Sequence, residues 1–292
     1  MRFECKITAV KRLLDVVACI YQLRRECQIE FGLGSVTFHS PRMKAVFPID
    51  TFFEDYFLDT PTNTLLLDVG ADALLRTLRM IVDDSAIRMS IRSQRTLLSG
   101  RQTDVLRINF SSLQTLKTGG EAVAAATFKD VFARPVSEDP LSSLFEGDSS
   151  SVTSAPSRSV VVPGDVLTAI GKASARLRYL GKNTTIELVK GGILRVVVAE
   201  SLVTYSASFS RLHEIVRITA GMENEADNEA PLKVRVTVAA RDWFRVLARP
   251  EIARTVVLSV TNHCSLDMYL MCGEGLDLDS GYIHYHVGNV YE

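Results

Sequence analysis

Apolar residues recur along the chain with two different spacings, and the alternation of these spacings predicts the secondary structure. Near the N-terminus, apolar positions three or four residues apart run from Val10 to Tyr21 and predict a helix. The next stretch, CQIEFGLGSVTF at 27–38, predicts a hairpin. Further strands are predicted at RMKAVFPI (42–49) and NTLLLDV (63–69), before a second helix whose apolar side includes the leucines of 74–81.

The second half of the chain repeats this order. A helix is predicted from Val166 to Leu177, followed by the hairpin TTIELVKGGILRVVVA at 184–199, whose paired glycines suit a turn that needs positive φ. The Ile-Glu pair of this hairpin stands 157 positions after the Ile-Glu pair of the first hairpin. Strands at 202–209 and 231–240 come next, and a second helix follows around the single tryptophan. A repeat of the whole order indicates a duplication.

Each half then ends in a further hairpin, with predicted turns at Ser93-Gln94 in SIRSQRTL and at Asn262-His263 in SVTNHCSL. The order β-α-β-β-β-β-β-α-β-β-β in both halves predicts an α+β fold of two similar domains, each an antiparallel sheet with two helices. We expect domain one at 1–134 and domain two at 159–292. The Ser- and Pro-rich stretch 135–158 has few large apolar side chains and is predicted to be a linker.

Composition narrows the class of protein. The chain has 292 residues, of which 47% are hydrophobic, enough for two domains with buried cores. The N-terminus is interrupted by charges and no apolar run is long enough to span a membrane, so we expect a soluble intracellular protein. Its five cysteines form no CxxC pair, which favours reduced thiols over a disulfide framework or a structural zinc site.

The net charge is −1, but basic residues concentrate on the predicted helices. The segments 11–25, 70–81, 164–178 and 240–250 hold twelve basic and four acidic side chains, a net of +8, which leaves −9 on the rest of the chain. Several of the basic residues repeat three, four or eight positions apart, so each helix is predicted to have one apolar and one basic side. Such sides attract phosphates, although solvated helix faces look the same in sequence.

Candidate chemistry is sparse. Gly171-Lys172 lacks the spacing of a phosphate-binding loop and is predicted to be helical. His284 and His286 would share one face of a strand, as some metal sites require, but the sequence shows no convincing acidic or cysteine partner. The pairs Asp83/Asp84 and Asp277/Asp279 fit turns better than a cation site. A metal-dependent nuclease or phosphoesterase that uses Asp83 or Asp84 stays open as an alternative.

Short motifs add a resemblance to a known family. The duplicated order of elements, with basic helices and antiparallel strands, resembles the eukaryotic sliding clamp, the fold of proliferating cell nuclear antigen. The opening MRFECKI and the strand pair ILRVVVAESLVTYSASFSRL (193–212) are similar to the Hus-type subunit of the checkpoint clamp called nine-one-one. Two features depart from that family: the linker is long and Ser-rich, and the ending GYIHYHVGNVYE lacks the usual apolar-proline tail.

The resemblance implies a non-catalytic subunit without cofactors or metals, which closes into a nuclear ring with two other clamp subunits. A clamp loader would place the ring around duplex DNA, without sequence preference, in the damage checkpoint and in repair, where it serves repair and signalling proteins as a platform. A homotrimeric replication clamp is the alternative within the family. The residues then expected to face DNA are Lys11, Arg12, Arg24, Arg25, Arg76, Arg79, Lys172, Arg176, Arg178, Arg241, Arg245 and Arg249.

The resemblance also implies two protein-binding surfaces. In clamps, an edge strand of one domain pairs with an edge strand of the next subunit, which here points to 122–131 and 201–209 and to the side chains of Ala124, Ala126, Phe128, Val203, Tyr205 and Ala207. Clamps also bind short partner peptides on the outer face. By position, that site would include His39, Ser40, Pro41, Arg42, Val136, Phe145 and Val287.

Overall fold

The computed structural model describes residues 2–98, 101–118, 121–136, 155–215, 232–247, 253–273, 276 and 278–290. The chain divides into two compact units, residues 1–144 and 145–292. In its described part, each unit combines antiparallel strands with two α-helices.

The first unit contains nine strands in its described part. Its elements are β1 (Arg2–Ile7), α1 (Val10–Leu23), β2 (Glu26–Phe31), β3 (Ser35–Ser40), β4 (Met43–Pro48), β5 (Phe53–Asp59), β6 (Leu65–Gly70), α2 (Ala71–Ile81), β7 (Ser85–Leu98), β8 (Arg101–Thr118) and β9 (Glu121–Pro135). In space the strands follow the order β4-β3-β2-β6-β9-β8-β7-β1-β5. Strands β6 and β9 pair only near the end of β9, where Val69 lies opposite Ala133 and Leu67 opposite Pro135.

The second unit repeats this order of elements. They are β10 (Ser157–Pro163), α3 (Gly164–Leu177), β11 (Asn183–Val189), β12 (Ile193–Glu200), β13 (Val203–Phe209), β14 (His213–Ile215), β15 (Lys233–Ala239), α4 (Ala240–Val246), β16 (Thr255–Thr261), β17 (Ser265–Met271) and β18 (Tyr282–Gly288). Within this unit, five strands follow the order β14-β10-β16-β17-β18, and a separate four-stranded sheet has the order β13-β12-β11-β15.

The core of each unit lies between its strands and its helices. Helices α1 and α2 contact each other, and their apolar sides bury Val16, Ile20 and Leu78. In the second unit α3 contacts α4, and the buried Trp243 donates a hydrogen bond from Nε1 to Oγ of Ser174 at 2.8 Å. Ser174 is itself buried, so this bond satisfies two polar groups that have left water.

The predicted order of elements agrees with the structure in both halves, including the glycine turn between β11 and β12, where Gly191 has φ +90° and Gly192 has φ +69°. The predicted turn at Asn262-His263 is also confirmed, since β16 ends at Thr261 and β17 begins at Ser265. The predicted domain bounds stay a prediction, because much of the linker falls outside the described residues.

The predicted turn at Ser93-Gln94 is wrong. Strand β7 continues through it to Leu98, with Ser93 opposite Leu106 and Gln94 opposite Val105 on β8. Two-residue hairpin turns need positive φ, which Ser and Gln do not favour.

Two helices end earlier than the predicted helical segments. Helix α1 stops at Leu23 rather than at position 25, and α4 stops at Val246 rather than at position 250, whereas α3 ends at Leu177 as predicted. The residue before a proline disfavours the helical conformation, which argues against a helix that reaches Pro250.

Candidate nucleic-acid and subunit interfaces

The apolar side of every described helix is buried, and most of its basic side chains lie in solvent. Lys11, Arg76, Arg79, Lys172, Arg176 and Arg241 are exposed, whereas Arg12 and Arg245 are half-buried. Over the helices as observed, eight basic and four acidic residues give a net of +4. The difference from the +8 counted over the predicted segments arises because Arg24, Arg25 and Arg178 lie past the helix ends. Arg249 lies outside the described residues.

Acidic neighbours divide the helical cations other than Arg12 into two groups. On α2, Nη2 of Arg76 lies 3.0 Å from Oδ2 of Asp72, and on α4, Oδ1 of Asp242 lies 3.7 Å from Nε of Arg241 and 3.9 Å from Nη1 of Arg245. No ion pair with a described acidic residue is found for Lys11, Arg79, Lys172 or Arg176. No described carboxylate therefore offsets the charge of this second group.

Two predicted DNA-facing arginines pack against aromatic rings. The guanidinium carbon of Arg12 lies 5.9 Å from the centre of the Phe47 ring. That of Arg178 lies 4.0 Å from the centre of the Phe244 ring on α4 and 4.5 Å from that of Tyr179, whose hydroxyl accepts a hydrogen bond from Arg178. Arg178 is half-buried, so it ties the end of α3 to α4 in addition to any contact with a ligand.

Arg24 and Arg25 are exposed between α1 and β2. The backbone at this position is fixed, because the N–H of Ala71, the first residue of α2, donates to the carbonyl of Arg25 at 2.7 Å. The connection after α1 therefore lies at the start of α2, and both arginines are exposed there.

Strand β13 forms an open edge of the four-stranded sheet. Its register with β12 is unbroken from Phe209 opposite Leu194 to Val203 opposite Glu200, and none of its seven residues is charged. Val203 and Tyr205 are 49% and 40% exposed although they share the face of the sheet that packs on helix α3, and Ala207 is half-buried. A regular, uncharged edge with exposed apolar side chains is suited to pairing with another strand.

Strand β5, which ends the strand order of the first unit, has the features that block pairing. Asp55 has a φ of +50°, the register with β1 shifts between Glu4 and Lys6, and Glu54 and Asp59 add acidic side chains. Bulges and charges of this kind are how proteins protect a sheet edge from other chains. The contrast identifies β13 as an edge that lacks such protection.

Strand β9 carries the other predicted interface residues. Opposite β8, Ala124 faces Thr115, Ala126 faces Leu113, and Phe128 faces Ser111. Because β6 pairs with β9 only at residues 133–135, the far side of β9 from 121 to 132 has no strand partner within its own unit in the described part of the chain. The backbone thus leaves a second open edge, and its role in assembly stays a prediction.

The residues predicted to bind partner peptides differ widely in exposure. His39 and Ser40 are each 2% exposed, and Val287 is also buried, whereas Pro41 and Val136 are half-buried and Arg42 is exposed. His39 is bonded through Nε2 to Oε2 of Glu30 at 3.2 Å. Phe145 lies outside the described residues. Around the turn between β3 and β4, only Pro41 and Arg42 are therefore accessible. A peptide site there stays a prediction.

The residues considered for catalysis lie in helices and turns. Lys172 lies inside α3, and the N–H of Asp84 donates to the carbonyl of Ile81 at 3.0 Å in the turn after α2. Asp279 lies in a 3-10 turn at Leu278–Ser280, and Asp277 is outside the described residues. All five cysteines are free thiols, and burial raises the pKa of Cys5 and Cys27 to about 12, which makes poor nucleophiles of both.

Sequence reasoning missed the acidic partner of the two histidines on β18. Oδ1 of Asp267, on β17, lies 2.9 Å from Nε2 of His284 and 2.9 Å from Nδ1 of His286. Burial alone would raise the pKa of Asp267, but hydrogen bonds from the two imidazoles outweigh it and hold the pKa well below its usual range. The antiparallel register places Asp267 directly opposite His286. Pairing the two predicted strands residue by residue across their hairpin could therefore have identified Asp267 as the partner.

Neither a metal site nor a membrane span is found in the described part of the chain. Among these residues, His, Cys, Asp and Glu side chains form no group of three or more that could hold a metal ion. The helices of the same residues are all too short or too polar to cross a bilayer.

Comparison with known proteins agrees with this geometry. No curated protein matches the chain. The sequence model of the Hus1-like protein family matches residues 1–290, nearly the whole length. Two halves with the same order of elements, basic helices and antiparallel strands are compatible with the clamp fold that this family implies. The chain therefore belongs to the Hus1-like family, the family of the Hus-type subunit of the checkpoint clamp.

Proposed function

We propose that the chain is a non-catalytic subunit of a ring-shaped sliding clamp that encircles duplex DNA in the damage checkpoint and in DNA repair. It assembles with two other clamp subunits in the nucleus, is placed on DNA by a clamp loader, and serves repair and signalling proteins as a platform. The observation that carries the proposal is the exposed basic side found on all four described helices of a Hus1-like chain.

Electrostatics explains why such a surface suits sliding. Lysine and arginine attract phosphates without reading bases, and each phosphate contact releases counterions, so binding weakens as salt rises. The four cations without described acidic partners are spread over α1, α2 and α3. A surface of this kind holds DNA of any sequence and lets it move.

Assembly would use the open edges. Strand β13 has an unbroken register, no charge and exposed Val203 and Tyr205, which is the composition expected of a strand that pairs with a neighbouring subunit. The free side of β9 is the matching edge for the opposite neighbour. A heteromeric ring covers both edges, which would otherwise be a liability in a monomer.

The test reverses one exposed cation on each helix. The variant carries Lys11→Glu, Arg79→Glu, Lys172→Glu and Arg241→Glu. A matched control reverses four exposed cations that lie on strands or turns, namely Arg88, Arg134, Lys190 and Arg195. The assembled ring is loaded on closed circular DNA, and its retention is measured across a salt series.

We expect the helix variant to assemble normally but to lose most of its retention on DNA. Its slope of log affinity against log salt should be flatter by about 0.9 for each phosphate that the variant no longer neutralises. The control should keep both quantities. If the helix variant is retained as well as the wild type, or no worse than the control, the helices do not face DNA and the proposal is wrong.

A further inference from the structure

The second helix of each half carries an aspartate that lies next to an arginine one turn further on. On α2, Asp72 and Arg76 form an ion pair at 3.0 Å, and the Nε of Arg76 also donates to the backbone carbonyl of Asp72 at 3.3 Å. On α4, Asp242 lies within 4 Å of both Arg241 and Arg245. The two halves thus repeat the same arrangement at corresponding places.

These aspartates are placed to act on the charge of the surface rather than on the core. The side chain of Arg76 is 71% exposed and that of Asp72 is 45% exposed, so both groups are accessible to a ligand. Asp242 is more enclosed, with 13% of its side chain exposed between two arginines. Each carboxylate offsets part of the positive charge that a nearby phosphate would experience.

This partial neutralisation of the arginines matters for a protein that must move along DNA. A cation bound to DNA at full strength resists displacement, whereas a cation that already has an acidic neighbour gains less from each phosphate. An exposed ion pair typically contributes at most about 1 kcal/mol. Removing its acidic partner can therefore change the affinity for DNA without unfolding the protein.

We propose that Asp72 and Asp242 limit the affinity of the helical surface for DNA, because they offset the charge of Arg76, Arg241 and Arg245. This inference rests on the proposed function, since it requires that these helices face DNA. The two aspartates would thus help to keep the ring mobile on DNA. Their removal should therefore strengthen DNA binding rather than weaken it.

The test uses the ring assembled from the full-length chain and its two partner subunits, with the substitutions Asp72→Asn and Asp242→Asn together. Asparagine has nearly the same shape and keeps an oxygen that can accept a hydrogen bond, so the substitution removes the charge, including its interaction with the first turn of each helix. The control is Glu4→Gln with Glu54→Gln, which breaks the ion pairs to Arg2 at 3.2 Å and to Lys6 at 2.8 Å on strands. Both variants raise the net charge by the same amount.

Binding to a labelled linear duplex is measured across a salt series, and thermal unfolding checks that each variant is folded. We expect the aspartate variant to bind about two- to fivefold more tightly per substitution at low salt. Its slope of log affinity against log salt should steepen by about 0.9 for each phosphate newly engaged. The control should match the wild type in both quantities.

Unchanged or weaker binding by the aspartate variant would overturn the inference, as would an equal gain in the control. The result also separates this inference from the proposed function. If reversal of the four helical cations abolishes retention while the aspartate variant behaves as wild type, only the role of the two aspartates is wrong. If neither change has an effect, the helices do not face DNA at all.

Discussion

Substitution of Tyr205 tests the open edge of β13 most directly. Its ring is 40% exposed on an uncharged strand with an unbroken register. A tyrosine buries roughly 200 Å² when fully covered, so a neighbouring subunit would remove about 80 Å² of this side chain from water. At about 25 cal/mol per Å², that burial contributes about 2 kcal/mol. Tyr205→Ala should therefore weaken subunit association by roughly 30-fold.

The assay is the dissociation constant of the chain for its partner subunits, measured by analytical ultracentrifugation or by titration of a labelled partner. Phe57→Ala is the matched control, because Phe57 is an aromatic residue of an edge strand with a similar exposure of 48%, but β5 is bulged and acidic. We expect the control to assemble as the wild type does. The reasoning is refuted if Tyr205→Ala assembles with unchanged affinity, or if Phe57→Ala is equally defective.

Two further predictions concern stability, measured by denaturant unfolding. A Cβ added at Gly192, which has φ +69°, would lie 1.9 Å from the carbonyl oxygen of Leu212, so Gly192→Ala should lower the free energy of unfolding by more than about 2 kcal/mol. At Gly191 a Cβ would meet open space, so Gly191→Ala should lower it by only about 1 kcal/mol of backbone strain. Equal losses would contradict this reasoning. Because the pKa of Asp267 is lowered on folding, its contribution is present at neutral pH and lost in acid. Asp267→Asn should cost about 1–3 kcal/mol at pH 7, and the difference from wild type should shrink below about pH 4; a difference that does not depend on pH would contradict the reasoning.

Local pattern was sufficient to predict the order of elements, because the periodicity of apolar residues follows directly from which side of each element is buried. The helix from Val10 and the glycine turn at Gly191-Gly192 lie where the sequence indicates. The helix ends were predicted less accurately than the order of elements. Residues such as Arg24 and Arg178 lie just beyond the helices, so the charge assigned to the helices changed with their ends.

Contacts between distant residues were harder to predict. The pair His284 and His286 was recognised on one strand face, but its partner Asp267 comes from a different strand and is brought there by the register of β17 and β18. Likewise, the ion pairs of Asp242 on α4 depend on side-chain conformations that spacing alone does not determine. The sequence also did not show that β5 is protected from pairing and β13 is not. That difference depends on the irregular backbone at Asp55 and the register shift with β1, which no sequence pattern indicates.

Topological retention on DNA tests the central claim that the chain is part of a ring that encircles duplex DNA. The ring assembled from the full-length chain and its partners is loaded on closed circular DNA, washed at high salt, and measured before and after a single double-strand cut. We predict that the ring stays on the intact circle and is released once the DNA is linear, because only topology then holds it. Retention that is the same on circular and linear DNA, or absent from both after the salt wash, would contradict the account.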